Sequence, residues 1–138
     1  MKAVKICLIV LIFSLMALGY VWHSSADLVQ ITTIVTDVTV TDNQRKIAFN
    51  VDTDGLHFGT LAHRGSSGKV VVINNSDEYS VDVHLQAKGP IKKMITFGIN
   101  DFVLEPHTSE NVSVQLSVPS KVDLGSYNGS VKVYFRKR

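Results

Sequence analysis

The sequence predicts an all-β protein: a single antiparallel β-sandwich of roughly seven to nine strands, preceded by one N-terminal transmembrane helix. Three observations support this prediction. Apolar and polar residues alternate along much of the chain after residue 26, which is the pattern of half-buried strands. Turn-forming residues separate these segments at intervals of about ten residues. An uncharged run at residues 6–22 precedes them.

The uncharged run has the features of a membrane anchor. As a helix rising ~1.5 Å per residue it would span about 25 Å of a ~30 Å hydrocarbon core. Tyr20 and Trp22 lie at its far end, where aromatic rings favour the membrane–water interface. Lys2 and Lys5 precede it and predict a cytoplasmic N-terminus. We therefore expect a single-pass protein of the cell membrane, with an anchor at residues 1–26 and an extracytoplasmic domain at residues 27–138.

A cleaved signal peptide is the alternative interpretation of the same segment. Apolar regions of signal peptides are shorter than membrane spans, and small residues precede their cleavage sites. Ser24, Ser25 and Ala26 would supply those small residues for a cut before Asp27. The protein would then be secreted.

Length and charge limit the classes of protein to which the chain can belong. Its 138 residues suffice for one domain with its own core. Fourteen Lys and Arg face twelve Asp and Glu, and the lysines before the anchor account for the excess. The predicted domain is therefore neutral, which excludes a basic nucleic-acid binder. Cys7 is the only cysteine, which excludes an internal disulfide and a cysteine-based zinc site.

The strands are predicted from alternation. Residues 79–88, 111–118 and 127–135 alternate most regularly between apolar and polar side chains. Weaker strands are predicted at residues 31–41, 47–51, 56–61, 69–75, 94–97 and 102–104. No apolar pattern with a helical period follows Trp22, so no helix is expected there. The first or the last strand is the expected edge of the sandwich.

The apolar positions of the alternating segments predict the core, and polar clusters between them predict the turns. Asp54 and Gly55 are expected to form a hairpin turn after residues 47–51, and residues 65–68 to form a Gly/Ser turn. The predicted core consists of Phe49, Val51, Phe58, Val81, Val83, Leu85, Val112, Val114, Leu116, Val131, Val133 and Phe135.

Several of these segments together resemble a known type of domain. The segments are residues 56–61 with the Gly/Ser turn after them, 71–75, 102–106, 112–119 and 125–129. They resemble immunoglobulin-like domains of the Hydin and major-sperm-protein type, and the immunoglobulin-like domains of membrane-anchored archaeal envelope proteins. The resemblance implies a single immunoglobulin-like antiparallel β-sandwich. It also implies a role in binding, bracing or spacing other proteins, because these families lack shared catalytic residues.

The residues that could carry chemistry show no recognisable spacing. His57, His63, His84 and His107 form no H-x-x-x-H or H-x-H pair, so no metal site is predicted. No G-x-S-x-G motif and no glycine-rich loop before a helix occur. We therefore expect no catalytic residues, no cofactor and no metal.

Three sequons offer candidate sites of N-glycosylation. Their acceptors are Asn74, Asn111 and Asn128, each followed two residues later by a serine. Asn111 and Asn128 lie on the polar faces of predicted strands, and Asn74 lies at a turn. The geometry expected from the sequence therefore permits modification at all three.

These observations favour a membrane-tethered extracytoplasmic module that binds or braces other proteins of the cell envelope. The main alternative is an accessory component of a surface filament, of the stator or assembly type. A secreted hydrolase is the third hypothesis. The basic residues 136–138 are expected to be a solvated terminus, with contact to anionic lipid headgroups as the alternative.

Overall fold

The computed structural model of the chain describes residues 10–18, 20, 28–42 and 54–138, and within them the protein is all-β. Eight strands and one single-turn 3₁₀ helix follow residue 27 in this part of the chain. The strands are β1 (Leu28–Thr41), β2 (Gly55–Ala62), β3 (Ser66–Asn74), β4 (Val81–Lys88), β5 (Ile95–Phe97), β6 (Phe102–Leu104), β7 (Ser109–Ser117) and β8 (Gly125–Lys137). The 3₁₀ helix, Pro90–Lys93, lies between β4 and β5.

The strands form two sheets that enclose one apolar core. Five strands are ordered β2-β1-β8-β4-β6, and three are ordered β3-β7-β5. The inward residues of both sheets belong to a single apolar cluster, in which Leu85, Val114 and Val131 are almost completely buried. The predicted β-sandwich architecture is thus confirmed at the level of two packed sheets.

Most of the predicted core is confirmed. Nine of the predicted core residues are buried: Phe58, Val81, Val83, Leu85, Val112, Val114, Leu116, Val131 and Val133. Phe135 packs against this core and is partly buried. Phe49 and Val51 lie outside the described residues, together with the predicted strand at 47–51, so the hairpin turn after that strand stays a prediction; Gly55 itself opens β2.

The expectation of a wholly antiparallel sandwich is wrong for one pair of strands. The second half of β1 runs parallel to β2, with Val35 beside Gly55 and Thr41 beside Ala62. Parallel neighbours need a crossover connection of a dozen or more residues. The interval from Asp42 to Asp54 has the length for such a crossover, which alternation within the strands could not reveal.

The predicted edges are wrong for β8 and for the second half of β1. The last strand, β8, lies between β1 and β4, and the second half of β1 lies between β2 and β8. Edge position depends on which strands meet in space, whereas alternation reports only which face of a strand is buried. In the described part of the chain, β2 and β6 are the edges of one sheet and β3 and β5 those of the other.

Two local predictions need correction. The segment Pro90–Lys93 is a 3₁₀ turn whose Ile91 is fully buried, although no helix was expected after Trp22; four residues are too few to show a helical period. Residues 66–68 open β3 and pair with β7, so the predicted Gly/Ser turn is instead made at His63 and Arg64, where Arg64 has a φ of 63°.

The N-terminal segment is described only in part. Residues 10–18 and Tyr20 are helical and exposed. Among the described residues, no helix is long and apolar enough to cross a membrane. Lys2, Lys5, Cys7 and Trp22 lie outside the described residues.

We expect Val114→Asp to destabilise the domain by about 3 to 5 kcal/mol, because it places an unpaired carboxylate in the core. Gln115→Asp is the matched control, since Gln115 is the next residue on β7 and is exposed. It should change the free energy of unfolding by less than about 0.5 kcal/mol. Urea unfolding followed by circular dichroism measures both. Equal destabilisation by the two substitutions would show that the inward face of β7 is assigned wrongly.

Candidate functional site

The first half of β1 is an open sheet edge. We use "open edge" for residues 28–34, which pair with β8 on one side and have no strand partner on the other among the described residues. Leu28, Val29 and Ile31 are 39, 44 and 46% exposed there. No charged residue occurs from Leu28 to Thr36. Sheet edges of soluble proteins usually carry charge, proline or a bulge that discourages pairing with another chain.

The backbone direction at the open edge follows from the pairing with β2. The Val35 carbonyl faces Gly55 of β2, so the backbone groups of Val35 point away from β8. The peptide groups of alternate residues in a strand point to the same side. No register shift separates Ile31, Thr33 and Val35. Ile31 and Thr33 therefore direct their N–H and C=O groups toward the open side.

The other sheet edges are protected. β5 and β6 each have three residues. β2 is irregular, because its register against β1 shifts near Gly59, which has a φ of 71°. β3 is longer, but Lys69 lies on its inward face, the face that also carries Val71 and Ile73. A charge on the inward face of an edge strand discourages pairing with another strand. The open edge of β1 has a register shift of its own between Leu28 and Gln30, but from residue 30 to residue 34 it is regular, uncharged and, among the described residues, unpaired on one side.

A second feature is a cleft on the outward face of the five-stranded sheet. We call it the outer cleft; it has a volume of about 560 Å³. Its lining residues come from β4, β8 and the turn before β6: Asp82, Val83, His84, Gln86, Asp101, Tyr134 and Arg136. His84 and Tyr134 are direct cross-strand partners, and their rings lie 6.0 Å apart at an angle of 40°. The Tyr134 hydroxyl donates a long hydrogen bond of 3.4 Å to Gln86.

Neighbouring residues hold the Asp101 carboxylate of the outer cleft in place. The side chain of Asn100 accepts a hydrogen bond from the Leu85 N–H at 2.7 Å and donates one to the Leu85 carbonyl at 3.0 Å. Asn100 thereby takes the place of a strand residue beside β4, at the point where β6 has not yet begun. The next residue, Asp101, has a φ of 55° and accepts a 2.5 Å contact from His84 Nδ1. Its carboxylate is therefore fixed by the backbone and by the imidazole.

Two further histidines meet carboxylates. His57 Nδ1 lies 2.5 Å from Asp37, and His107 Nε2 lies 3.2 Å from Glu78. The sequence did not reveal these pairs, because the partners are distant along the chain and no spacing rule joins them. In the described ranges, no group of three or more His, Cys, Asp or Glu side chains is arranged to hold a metal ion.

The outer cleft has few of the side chains that nucleophilic catalysis requires. Its lining includes no serine, threonine or cysteine. His84 and Asp101 could orient and move a proton, but nucleophilic catalysis also needs a nucleophile within reach of the histidine. The geometry therefore supports binding better than covalent chemistry.

The three sequon asparagines are all exposed. Asn74 is the last residue of β3, and its side-chain oxygen accepts a hydrogen bond from the Ser109 hydroxyl at 2.9 Å. Asn111 lies on β7 opposite Val72, and Asn128 lies on β8 opposite Asp37. All three side chains are accessible, and their glycosylation stays a prediction. Tyr20, predicted at the membrane interface, is also exposed.

The basic C-terminal residues make contacts within the domain. Lys137 Nζ lies 4.5 Å above the centre of the Tyr79 ring. Arg138 lies 3.9 Å from Asp82, and its N–H donates to the Ser80 carbonyl. Partial desolvation raises the pKa of the Tyr79 hydroxyl, and the neighbouring Asp77 carboxylate raises that pKa further. The hydrogen bond from Arg138 to Ser80 shows that the terminus continues the sheet beside β4.

Comparison with protein-family models, curated proteins and solved structures finds no match to this chain.

We expect Asn100→Ala to reduce the free energy of unfolding by about 1 kcal/mol, because two hydrogen bonds to Leu85 are lost. It should also release Asp101 and broaden or shift the His84 ring signals in NMR spectra. Asn128→Ala removes an exposed asparagine that makes no such contact with β4, and it should leave both measurements unchanged. Unaltered His84 signals in Asn100→Ala would contradict the positioning role of Asn100.

Proposed function

We propose that the protein is a membrane-tethered, extracytoplasmic immunoglobulin-like module that binds another protein of the cell envelope by strand addition. The open edge of β1 is the observation that carries this proposal. It combines unpaired backbone groups, exposed apolar side chains and an absence of charge over the same residues. Partners that add a strand to a sheet use the backbone for affinity and alternate side chains for specificity.

Strand addition would satisfy backbone groups that have no strand partner among the described residues. The N–H and C=O groups of Ile31 and Thr33 would bond to the added strand. Each such bond contributes about 0.5 to 1.5 kcal/mol. The side chains of Leu28, Val29 and Ile31 would lose contact with water, at about 25 cal/mol per Å² of apolar surface. Backbone bonding and apolar burial therefore act on the same short segment.

The position of the open edge in the chain supports a partner close to the membrane. Five residues lie between Trp22, at the end of the predicted span, and Leu28. An extended chain covers at most about 3.5 Å per residue, so the edge would lie within roughly 20 Å of the membrane surface. Cleavage before Asp27, the alternative for the N-terminal segment, would leave β1 intact and the protein secreted.

The test removes one backbone hydrogen-bond donor of the open edge and compares the result with a change of side chain alone. A photo-crosslinker at Ile31 of the full-length chain in native membranes should capture one protein reproducibly. Thr33→Pro removes an outward N–H and should abolish that capture, because proline cannot donate to an added strand. Thr33→Ala keeps the N–H and should retain the capture.

The control for folding is the circular dichroism melt, which should be nearly the same for the proline and alanine variants. Thr32→Pro removes an N–H that faces β8 and should lower the melting temperature. If Thr33→Pro captures the same protein as efficiently as Thr33→Ala, strand addition at this edge is wrong.

The proposed topology has a separate test. Protease added to intact cells should digest residues 28–138, because two N-terminal lysines and an uncharged run predict a cytoplasmic N-terminus. A cytoplasmic marker protein must stay intact in the same sample. Complete protection of the domain until the cells are lysed would contradict the orientation. Recovery of the domain from the medium without residues 1–26 would identify the secreted form instead.

A further inference from the structure

We propose that the outer cleft is a binding site for a neutral saccharide. The cleft is independent of strand addition, because no residue of β1 lines it. Its volume of about 560 Å³ lies within the range of roughly 300 to 1,000 Å³ that is usual for small-molecule sites. A hexose unit with part of a neighbouring unit fits this size.

The ring surfaces of the cleft suit the C–H faces of a pyranose. His84 and Tyr134 place two planar rings side by side on adjacent strands, with their centres 6.0 Å apart. Rings of this kind offer apolar area with a polar group at one end. A sugar ring has the complementary form, with C–H groups on its faces and hydroxyls at its rim. It can therefore stack on the rings while its rim meets the polar residues around them.

The polar residues of the cleft match hydroxyl groups. A hydroxyl both donates and accepts, a carboxylate accepts, a guanidinium donates and a primary amide does both. The cleft presents these partners in Asp101, Arg136 and Gln86. Adjacent sugar hydroxyls can be satisfied between an acceptor and a donor of this set without any charge on the ligand.

The charge balance favours a neutral ligand over an ionic one. Asp101 is bonded to His84, and Asp82 lies 3.9 Å from Arg138. The cleft lining holds two carboxylates and the Arg136 guanidinium, and Arg138 neutralises Asp82 from outside the lining, so these four charges sum to zero. A phosphate would meet two carboxylates, and an ammonium group would meet the Arg136 guanidinium. Neither ion would therefore be surrounded by side chains of the opposite charge alone.

The cleft is ordered before a ligand arrives. Asn100 clamps Leu85 through two hydrogen bonds, and this clamp sets the position of Asp101. Asp101 has a φ of 55°, a conformation that costs a non-glycine residue energy and recurs where function requires a fixed side chain. The acceptor that would meet the sugar is thus held in place by the fold, which reduces the entropy lost on binding.

The test uses the full-length chain in lipid nanodiscs, because glycoside detergents would compete for the site. Saturation-transfer NMR is recorded with methyl β-glucoside, methyl β-galactoside, methyl α-mannoside and N-acetylglucosamine, and with glucuronate as the charged comparison. At least one neutral sugar should receive saturation at its ring protons, with a dissociation constant of about 1 to 10 mM.

Substitutions locate the binding. Tyr134→Ala should weaken it about tenfold or more by removing the stacking ring, and Tyr134→Phe should keep it within about threefold. Asp101→Asn and Gln86→Ala should each weaken it. Lys132→Ala is the matched control, because Lys132 lies on the same strand and face as Tyr134 but outside the cleft lining, and it should have no effect.

Three results would overturn the proposal. The first is that no neutral sugar binds at about 50 mM, well above typical dissociation constants for weak ligands. The second is that glucuronate binds more tightly than every neutral sugar. The third is that Asp101→Asn and Gln86→Ala bind as the unaltered chain does, a readout that stands even if Tyr134→Ala fails to fold. Strand capture at Ile31 is measured separately, so the two proposals can fail independently.

Discussion

The rest of the structure depends on the register of β8. This strand pairs with β1 from Gly125 to Arg136 and with β4 from Ser130 to Lys137, so it joins both halves of the five-stranded sheet. Its inward residues, Val131 and Val133, lie in the core. Its outward residues include those that line the outer cleft. Because side chains alternate strictly along a strand, a slip of one residue would exchange these two sets. The same register that builds the core therefore builds the cleft.

The open edge results from a mismatch in strand length. β1 has fourteen residues, but β2 covers only the stretch from Val35 to Thr41. The remaining residues are held by β8 alone among the described strands, so they are extended and hydrogen-bonded on one side while their other side meets no described strand. Their extended conformation is maintained without a partner, which lowers the entropic cost of adding one. A fully paired β1 would offer no such surface, and a disordered segment would bind at a higher cost.

The alternation of apolar and polar residues predicted the local features of the fold and missed those that depend on contacts between distant segments. Val112, Val114 and Leu116 were assigned to the core correctly because burial of one strand face leaves a period of two in the sequence. The parallel pairing of β1 with β2, and the interior position of β8, depend on contacts between distant segments. The pair of His84 and Asp101 was missed for the same reason, because Asn100 and Asp101 have the composition of an ordinary turn. The sequence predicted the strands and much of the core, whereas the order of the strands and the content of the cleft required the fold.

The domain is neutral because opposite charges balance and not because charge is absent, since residues 27–138 hold twelve Lys and Arg and twelve Asp and Glu. Asp101 meets His84, Glu78 meets His107, and Asp82 lies near Arg138. Balanced charges produce a weak field at a distance, so a partner receives little electrostatic guidance as it approaches. In both proposed functions, recognition then occurs at contact distance, through backbone hydrogen bonds at the open edge and through hydroxyl hydrogen bonds and ring stacking in the outer cleft. Both kinds of contact depend on shape and on the direction of donors and acceptors. If the proposed membrane tether holds, the domain has little need of long-range attraction, because confinement to the surface would raise the local concentration of partners that share the membrane.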